Sequence, residues 1–418
     1  MSSADAILAA REQDNENVLK LAEISDVITA HANVPGGDKR IKESFLIVRY
    51  FAARLKQTFG GEPVIWDGAD GMRAVLPVCG ENAKLKTTAM EEDCPIGRYA
   101  DLDVYLKGEK FSLSRGNMRK CYVCDRSAFV CARQGNHTAI ELICALQRGT
   151  REYFSAQLCT LIGQSLMAEL NLEDKFGLVT PTTRGSHEDM DYALMRKSQG
   201  AVIPYLAQCF WLGFDADCAD GLLDKLRPVG IGAEEAMIKS VGTNTYKGFI
   251  FVAGILLASA GHLLSTGGGE YLKIFSTAKR ICKGITRELE GEGNTFGMQA
   301  YRLYAFSGVR GLAEGGFATV GKAEEMIDDD LSRESLLKAL AFIVGDIEDT
   351  VLLKRSGSLE KYNYFKSAIS GIDVNDKAEL KALNEKCIKN GISIGGSADV
   401  LAAAVLMKKL KTLWYFDK

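Results

Sequence analysis

Neither sign of charge dominates this 418-residue sequence: 51 Lys and Arg stand against 54 Asp and Glu, a net −3. That balance excludes the broad basic surface of a general nucleic-acid binder. Long apolar runs are missing too. The longest, GFIFVAGILLASAG at residues 248–261, is too short to span a bilayer and follows a lysine. It predicts a buried core helix and no membrane partner. Internal repeats and low-complexity tracts are absent. The opening residues, MSSADAILAAREQDNENVLK, read as a capped amphipathic helix rather than a charged-then-apolar leader. The 11 cysteines then predict reduced thiols in a cytoplasmic protein, not a disulfide framework.

What is present divides into two textures, as expected of a chain this long. Up to about residue 110, helical spacing in SFLIVRYFAARLKQ (Phe45, Val48, Ala52, Leu55) gives way to short strand-like runs: PVIWDG, AVLPVCG, LDVYL and FSL. From about residue 138, amphipathic segments follow one another at 138–170, 188–212, 247–265, 270–288, 333–355, 376–389 and 398–412. The pattern predicts an α+β domain at residues 1–147 and a larger all-α domain at 148–418, with the hinge near 145–153.

Two clusters carry the chemistry of the first part. In GRYADLDVYL, residues 97–106, Leu102, Val104 and Leu106 share one face of a strand, and Asp101, Asp103 and Tyr105 share the other. Two adjacent carboxylates repel unless a cation joins them. Mg²⁺ held against a polyphosphate suits the pair, with Arg98 alongside, as in nucleotidyltransferase-like sites. A solvated edge strand is the alternative. Residues 113–137, LSRGNMRKCYVCDRSAFVCARQGNH, bring Arg115, Arg119, Lys120, Arg126 and Arg133 against one acid, Asp125, which suits a phosphate-rich or acidic partner. They also carry Cys121, Cys124, Cys131 and His137. These types fit tetrahedral zinc, although the C-x6-C spacing is unusual and reduced cysteines also simply fill space. Zinc is therefore not counted among the expected cofactors.

VPGGDK at 34–39, GRYADLDV at 97–104, SR at 114–115 and the Cys/His block at 119–137 resemble the citrate lyase holo-acyl-carrier-protein synthase family over residues 5–145. The resemblance implies transfer of a phosphoribosyl-dephospho-CoA group from its triphosphate to a serine of the citrate lyase acyl carrier (gamma) subunit, with loss of diphosphate. Asp101 and Asp103 would hold Mg²⁺, with Arg98 and Arg115 on phosphate. Gly37 stands where the family has proline.

The second part has its own signals. GGSADVLAAAVLMKKL at 395–410 starts a helix whose Ser397 can cap and whose Gly395 and Gly396 leave backbone N–H groups open to phosphate. In RGSHEDMDY, 184–192, Ser186 and Asp189 read as a capping box, with His187, Glu188 and Asp191 unexplained by it. LLKALAFIVGDIEDTVLLKRSG predicts one helix with Phe342, Asp346, Asp349 and Leu353 on a single stripe. Carboxylates inside an apolar stripe call for a metal or a partner. Lys247 opens the most apolar helix as a phosphate-binding charge. Arg310 and Glu314 lie in a glycine-rich segment, 306–320, expected to be a flexible loop that closes on a ligand.

GLV (177–179), H-x-DMD (187–191), TNTYKG (243–248), the Arg310–Glu314 block, EDT (348–350) and GGSAD (395–399) together resemble the triphosphoribosyl-dephospho-CoA synthase family over residues 138–412. The resemblance implies joining of ATP to 3′-dephospho-CoA with adenine as leaving group, and a bifunctional fusion that makes and attaches the citrate lyase prosthetic group. Asp189, Glu348 and Asp349 would hold Mg²⁺. Lys247, Arg310 and Arg355 would neutralise phosphates. Asp191 would be the base, and Glu314 a further catalytic acid. Thr180, Tyr246, Leu312 and Ile347 stand where the family has aspartate, histidine, glutamate and asparagine. A metal-dependent phosphohydrolase or glycohydrolase, and a non-catalytic carrier-binding protein, are the alternatives.

Overall fold

The computed structural model describes residues 3–79, 82–116, 118–124 and 126–417; Asp125 lies outside them. The chain is 63% helical. It forms two compact units, Met1–Gln157 with Leu264–Gly269 and Lys411–Lys418, and Leu158–Leu263 with Glu270–Leu410.

The first unit holds four antiparallel strands, β1 (Asp26–Ala32), β2 (Val64–Gly68), β3 (Gly71–Val78) and β4 (Ala100–Tyr105), in the order β2-β3-β1-β4. Alternation makes β4: Ala100, Leu102 and Val104 are buried, and Asp101, Asp103 and Tyr105 take the other face. Across the register His31 pairs with Asp101 on one side and with Arg73 on the other. The helix Lys42–Phe59 buries Phe45, Val48, Ala52 and Leu55, as its spacing requires. Arg49 on that helix is 1% exposed. Its guanidinium donates to the carbonyls of Tyr415 at 3.0 Å and Gly267 at 2.9 Å, which ties two sequence-distant segments into this unit.

Sequence and structure differ here in three places. β1 was not among the expected strands, because Val27–Ala30 are buried in succession and show no alternation. The expected strand FSL contributes only a bridge from Ser112 to Tyr105, and Leu106 lies beyond the end of β4. The expected hinge at 145–153 falls inside an unbroken helix, Ala139–Leu170. The unit is α+β; its sheet order does not by itself establish kinship with nucleotidyltransferases.

In the second unit every regular element among the described residues is helical. Lys247–Ser265, at 19 residues, is long and apolar enough to cross a membrane, yet 83% of its most apolar window is buried inside the protein. It is a core helix.

Several expected helices end elsewhere. The single helix 333–355 is two, Arg333–Asp346 and Thr350–Ser356, separated by extended Ile347 and restarted by Asp349 as N-cap. Asp346 and Asp349 therefore share no stripe; Asp346 is exposed and accepts from the Thr319 hydroxyl at 2.5 Å. The helix after RGSHEDMD starts at Tyr192, capped by Asp191, so Ser186 and Asp189 form no capping box. The segment expected to be a flexible loop contains the helix Gly308–Glu314 and the start of Ala318–Met326. Ser397 is the third residue of the helix Gly395–Leu413, not its cap.

Candidate functional site

The second unit encloses a cavity of about 1130 Å³. Sequence-distant segments meet on it, among them 187–190, 243–248, 308–312, 347–355 and 393–400. Asp349 fastens two of them. Its Oδ1 accepts the N–H groups of Val351 (2.9 Å) and Leu352 (3.0 Å), and its Oδ2 accepts the Ser397 N–H and hydroxyl, both at 2.8 Å. All four lone-pair positions of the carboxylate are thereby used. Asp349 is 2% exposed, and burial raises its pKa against the pull of those bonds. The approach leaves no room beside it: a Cβ on Gly396 would lie 2.8 Å from Oδ1. The Ser397 N–H expected to meet a phosphate is thus already taken, while Gly395 and Gly396 line the cavity.

Further acids line the same space. Asp399 lies on the first turns of the helix Gly395–Leu413. Burial drives its pKa well above the carboxylate range, and repulsion from Glu169 and Asp349 adds to this. A Cβ on Gly248 would lie 2.1 Å from its Oδ2, so any side chain there would push the Asp399 carboxylate aside. Glu169 is paired with buried Lys175, whose ammonium donates to its carboxylate at 2.8 Å. Asp189 accepts from the Thr243 hydroxyl at 2.9 Å; burial alone would raise its pKa, but that bond, helped by His187 and Arg355, leaves it lowered.

The cations at the cavity are Lys247, Arg310, Lys354 and Arg355. Lys247 pairs with Glu234 at 2.6 Å and Arg310 with Glu288 at 3.1 Å. Arg355 donates to His187 Nδ1 at 3.1 Å. A guanidinium has no acceptor, so Nδ1 must be unprotonated and Nε2 must carry the hydrogen, which faces the Ser393 hydroxyl at 3.0 Å. Burial first, and the Arg355 charge second, lower the His187 pKa, so the ring is neutral at pH 7.

Other expected residues are placed differently. Asp191 and Glu314 do not line the cavity. Asp191 caps its helix through the Leu194 N–H (2.9 Å) and pairs with Arg184 at 3.1 Å. Glu314 accepts the N–H groups of Gly284 (2.8 Å) and Thr286 (3.2 Å) and the Thr286 hydroxyl; chiefly that hydroxyl bond lowers its pKa. Glu348 lines the cavity and accepts the N–H groups of Ser307 (2.7 Å) and Gly308 (3.3 Å). Of the four departures, Tyr246, Leu312 and Ile347 line the cavity and Thr180 does not. Tyr246 is buried, and its hydroxyl accepts from Gln199 at 3.0 Å. Glu169, Ser393 and a role for His187 were not foreseen. The short spacing of Glu169 and Lys175 across a helix end was the available signal for the first.

In the first unit Asp101 faces arginine. Arg119 donates to Asp101 at 2.5 Å and to buried Glu91 at 2.8 Å, and Arg115 donates to Glu91 at 2.7 Å. Glu91 also accepts the Leu102 N–H at 2.8 Å, which locks this network to β4. His31 lies 4.0 Å from Asp101, and burial first and Arg73 second lower its pKa. Arg98 occupies the turn Pro95–Tyr99 leading into β4. Nearby, Cys121, Cys124, Cys131 and His137 place their four donor atoms within 4.8 Å of one another. Among the described residues no carboxylate group is gathered so tightly.

Sequence comparison accounts for both units. Residues 155–417 match the family of ATP:dephospho-CoA triphosphoribosyl transferases, and residues 2–153 match that of apo-citrate lyase phosphoribosyl-dephospho-CoA transferases. The chain is 31% identical over 320 residues to the 2-(5''-triphosphoribosyl)-3'-dephosphocoenzyme-A synthase of Haemophilus ducreyi, covering 69% of this chain and 99% of that one. It is 30% identical over 360 residues to protein CitXG of Haemophilus influenzae, covering 79% and 77%. With protein CitXG of Leuconostoc mesenteroides subsp. cremoris it shares 28% over 355 residues, covering 77% and 76%. The chain belongs to the ATP:dephospho-CoA triphosphoribosyl transferase family and carries an apo-citrate lyase phosphoribosyl-dephospho-CoA transferase domain in the same polypeptide, a fused transferase of citrate lyase prosthetic-group biosynthesis.

Proposed function

We propose that the helical domain, residues 148–418 as read from the sequence, joins ATP and 3′-dephospho-CoA. The dephospho-CoA 2′-hydroxyl attacks C1 of the ATP ribose, adenine leaves, and 2′-(5″-triphosphoribosyl)-3′-dephospho-CoA forms. The first domain, 1–147, then moves the phosphoribosyl-dephospho-CoA group to a serine of the citrate lyase acyl carrier subunit and releases diphosphate. The setting is the cytoplasm.

The observation that carries this reading is the cavity. Its volume lies at the upper end of small-ligand sites, as two nucleotide-sized substrates need. Cations and carboxylates line it together. Lys247, Arg310 and Arg355 meet triphosphate charge. Carboxylates stabilise the oxocarbenium character that develops at C1 as the glycosidic bond breaks. Asp399 suits proton transfer to the departing adenine, because a carboxyl with a raised pKa retains a proton to give. The carboxylate left on Asp399 then takes the proton of the attacking 2′-hydroxyl, so one group serves as acid and then base, in place of Asp191, which caps a helix.

Mg²⁺, when bound, would neutralise phosphate charge. Asp189 fits it in the helical domain, and Asp101 with Asp103 fits it in the first, since each site retains carboxylate oxygens beyond its protein bonds. Asp349 does not fit as a direct ligand, because its four acceptor positions are filled. Glu348 holds Ser307 and Gly308 at the cavity wall.

Chromatographic assay of adenine tests the reading. Adenine should appear from ATP only when 3′-dephospho-CoA is present. Phosphate or adenine release from ATP alone would favour a hydrolase instead.

A further inference from the structure

We infer that Cys121, Cys124, Cys131 and His137 form a structural Zn²⁺ site that holds the arginine-bearing segment against the Asp101–Asp103 face. Geometry carries it first. Cys124 Sγ lies 3.4 Å from Cys131 Sγ and 3.4 Å from His137 Nε2. Zinc–sulfur bonds of about 2.3 Å and a zinc–nitrogen bond of about 2.0–2.1 Å set tetrahedral edges of roughly 3.5–3.8 Å. Those two distances lie close to such edges, and all four donor atoms fall within 4.8 Å of one another, so small side-chain shifts close the tetrahedron.

The packing around the cluster is a second observation. Residues 118–137 have almost no apolar interior: Met118, Val123, Phe129 and Val130 are exposed, while Cys121 and Cys131 are buried. Among the described residues there, the only regular element is the seven-residue helix Ala128–Gln134. So small a piece has too little apolar surface to hold itself together, and metal ligation supplies what the core lacks. Backbone and side-chain amides support the sulfurs. The Val123 N–H donates to Cys121 Sγ at 3.5 Å, and the Asn136 amide donates to Cys131 Sγ at 3.8 Å. Three sulfurs and one imidazole nitrogen make a soft, closed donor set with no position left for substrate, which is the composition of structural rather than catalytic zinc.

The consequence lies next door in sequence. The Ala128 N–H donates to the Arg119 carbonyl at 2.8 Å, and the Cys121 N–H donates to the Arg126 carbonyl at 2.8 Å, so the cluster fixes the backbone that aims Arg119 at Asp101. Between two of the cysteines, Tyr122 stacks edge-on to Tyr99 and donates to the Asn33 carbonyl at 2.5 Å. Arg119 and Tyr122 are positioning residues whose order depends on the metal.

The test uses the full chain, purified under reducing conditions without chelators or a metal-affinity tag. Mass-spectrometric metal analysis should give one zinc per chain. Exchange for Co²⁺ should give the intense visible bands of a tetrahedral site and a thiolate-to-cobalt charge-transfer band in the near ultraviolet. Cys124→Ser and His137→Gln should lose these bands, and Cys144→Ser, at an exposed cysteine outside the cluster, should keep them. If the cluster variants do not fold, stripping wild-type protein with a chelator and reloading it should abolish and restore the cobalt bands together with tryptic resistance of residues 113–137. No zinc above the buffer blank, a pale octahedral cobalt spectrum, or a Cys124–Cys131 disulfide in freshly prepared protein would each overturn the site.

Discussion

Replacing Asp349 with asparagine separates its structural work from any direct metal ligation. The new side chain keeps one oxygen, which still accepts the Val351 and Leu352 N–H groups, and asparagine is as good an N-cap as aspartate. The other oxygen becomes an NH₂ group aimed at Ser397. The Ser397 hydroxyl can turn and accept from it. The Ser397 N–H cannot, and is left buried without a partner, at a cost of about 1–3 kcal/mol. Loss of charge-assisted character adds to this, and relief of the cost of burying the Asp349 charge subtracts from it. The net is about 2–3 kcal/mol. For a unit of this size each kcal/mol lowers Tm by roughly 2–4 °C, so calorimetry of the full chain should show the helical transition fall by about 4–12 °C. Ser397→Ala, which removes only the hydroxyl donor, should cost about 1 kcal/mol. An unchanged or raised Tm for Asp349→Asn would refute the reasoning, since it would mean that the four bonds do not hold the two segments together.

Asp191→Ala should cost about 1 kcal/mol through loss of the helix cap and leave adenine release largely intact, whereas Asp399→Asn should abolish adenine release; both are read by chromatography and thermal melts. Asp101→Asn or Arg119→Ala should stop transfer to the carrier protein while adenine release continues, as intact-protein mass spectrometry would show. His187 has a folded-state pKa below its unfolded value, so its contribution to stability is present above about pH 6.5 and is lost as pH falls towards the folded pKa. Melts between pH 7 and pH 5 should show that loss, and His187→Gln should flatten it.

Much of this architecture was legible in the sequence because the signals were local. Alternation placed Asp101 and Asp103 together on β4, and 3.6-residue spacing found the buried face of Lys42–Phe59. TNTYKG, EDT and GGSAD, far apart in sequence, do line one cavity. The failures share a cause. Helical spacing runs unbroken through IVGDIEDTVLL, but an aspartate that caps a restarting helix looks the same, in sequence, as one on its face. The cap is chosen by Ser397, 48 residues on. β1 escaped because a strand buried at its centre loses its period. The tautomer that Arg355 imposes on His187 is set by a contact between residues 168 apart that no spacing reveals.

The central claim is that one chain makes a prosthetic group and attaches it. Purified apo acyl carrier subunit, incubated with this protein, ATP, Mg²⁺ and 3′-dephospho-CoA, should gain the mass of one phosphoribosyl-dephospho-CoA group on a serine, and should gain nothing when 3′-dephospho-CoA is omitted. An unmodified carrier in the complete mixture, with adenine either absent or released independently of 3′-dephospho-CoA, would contradict it.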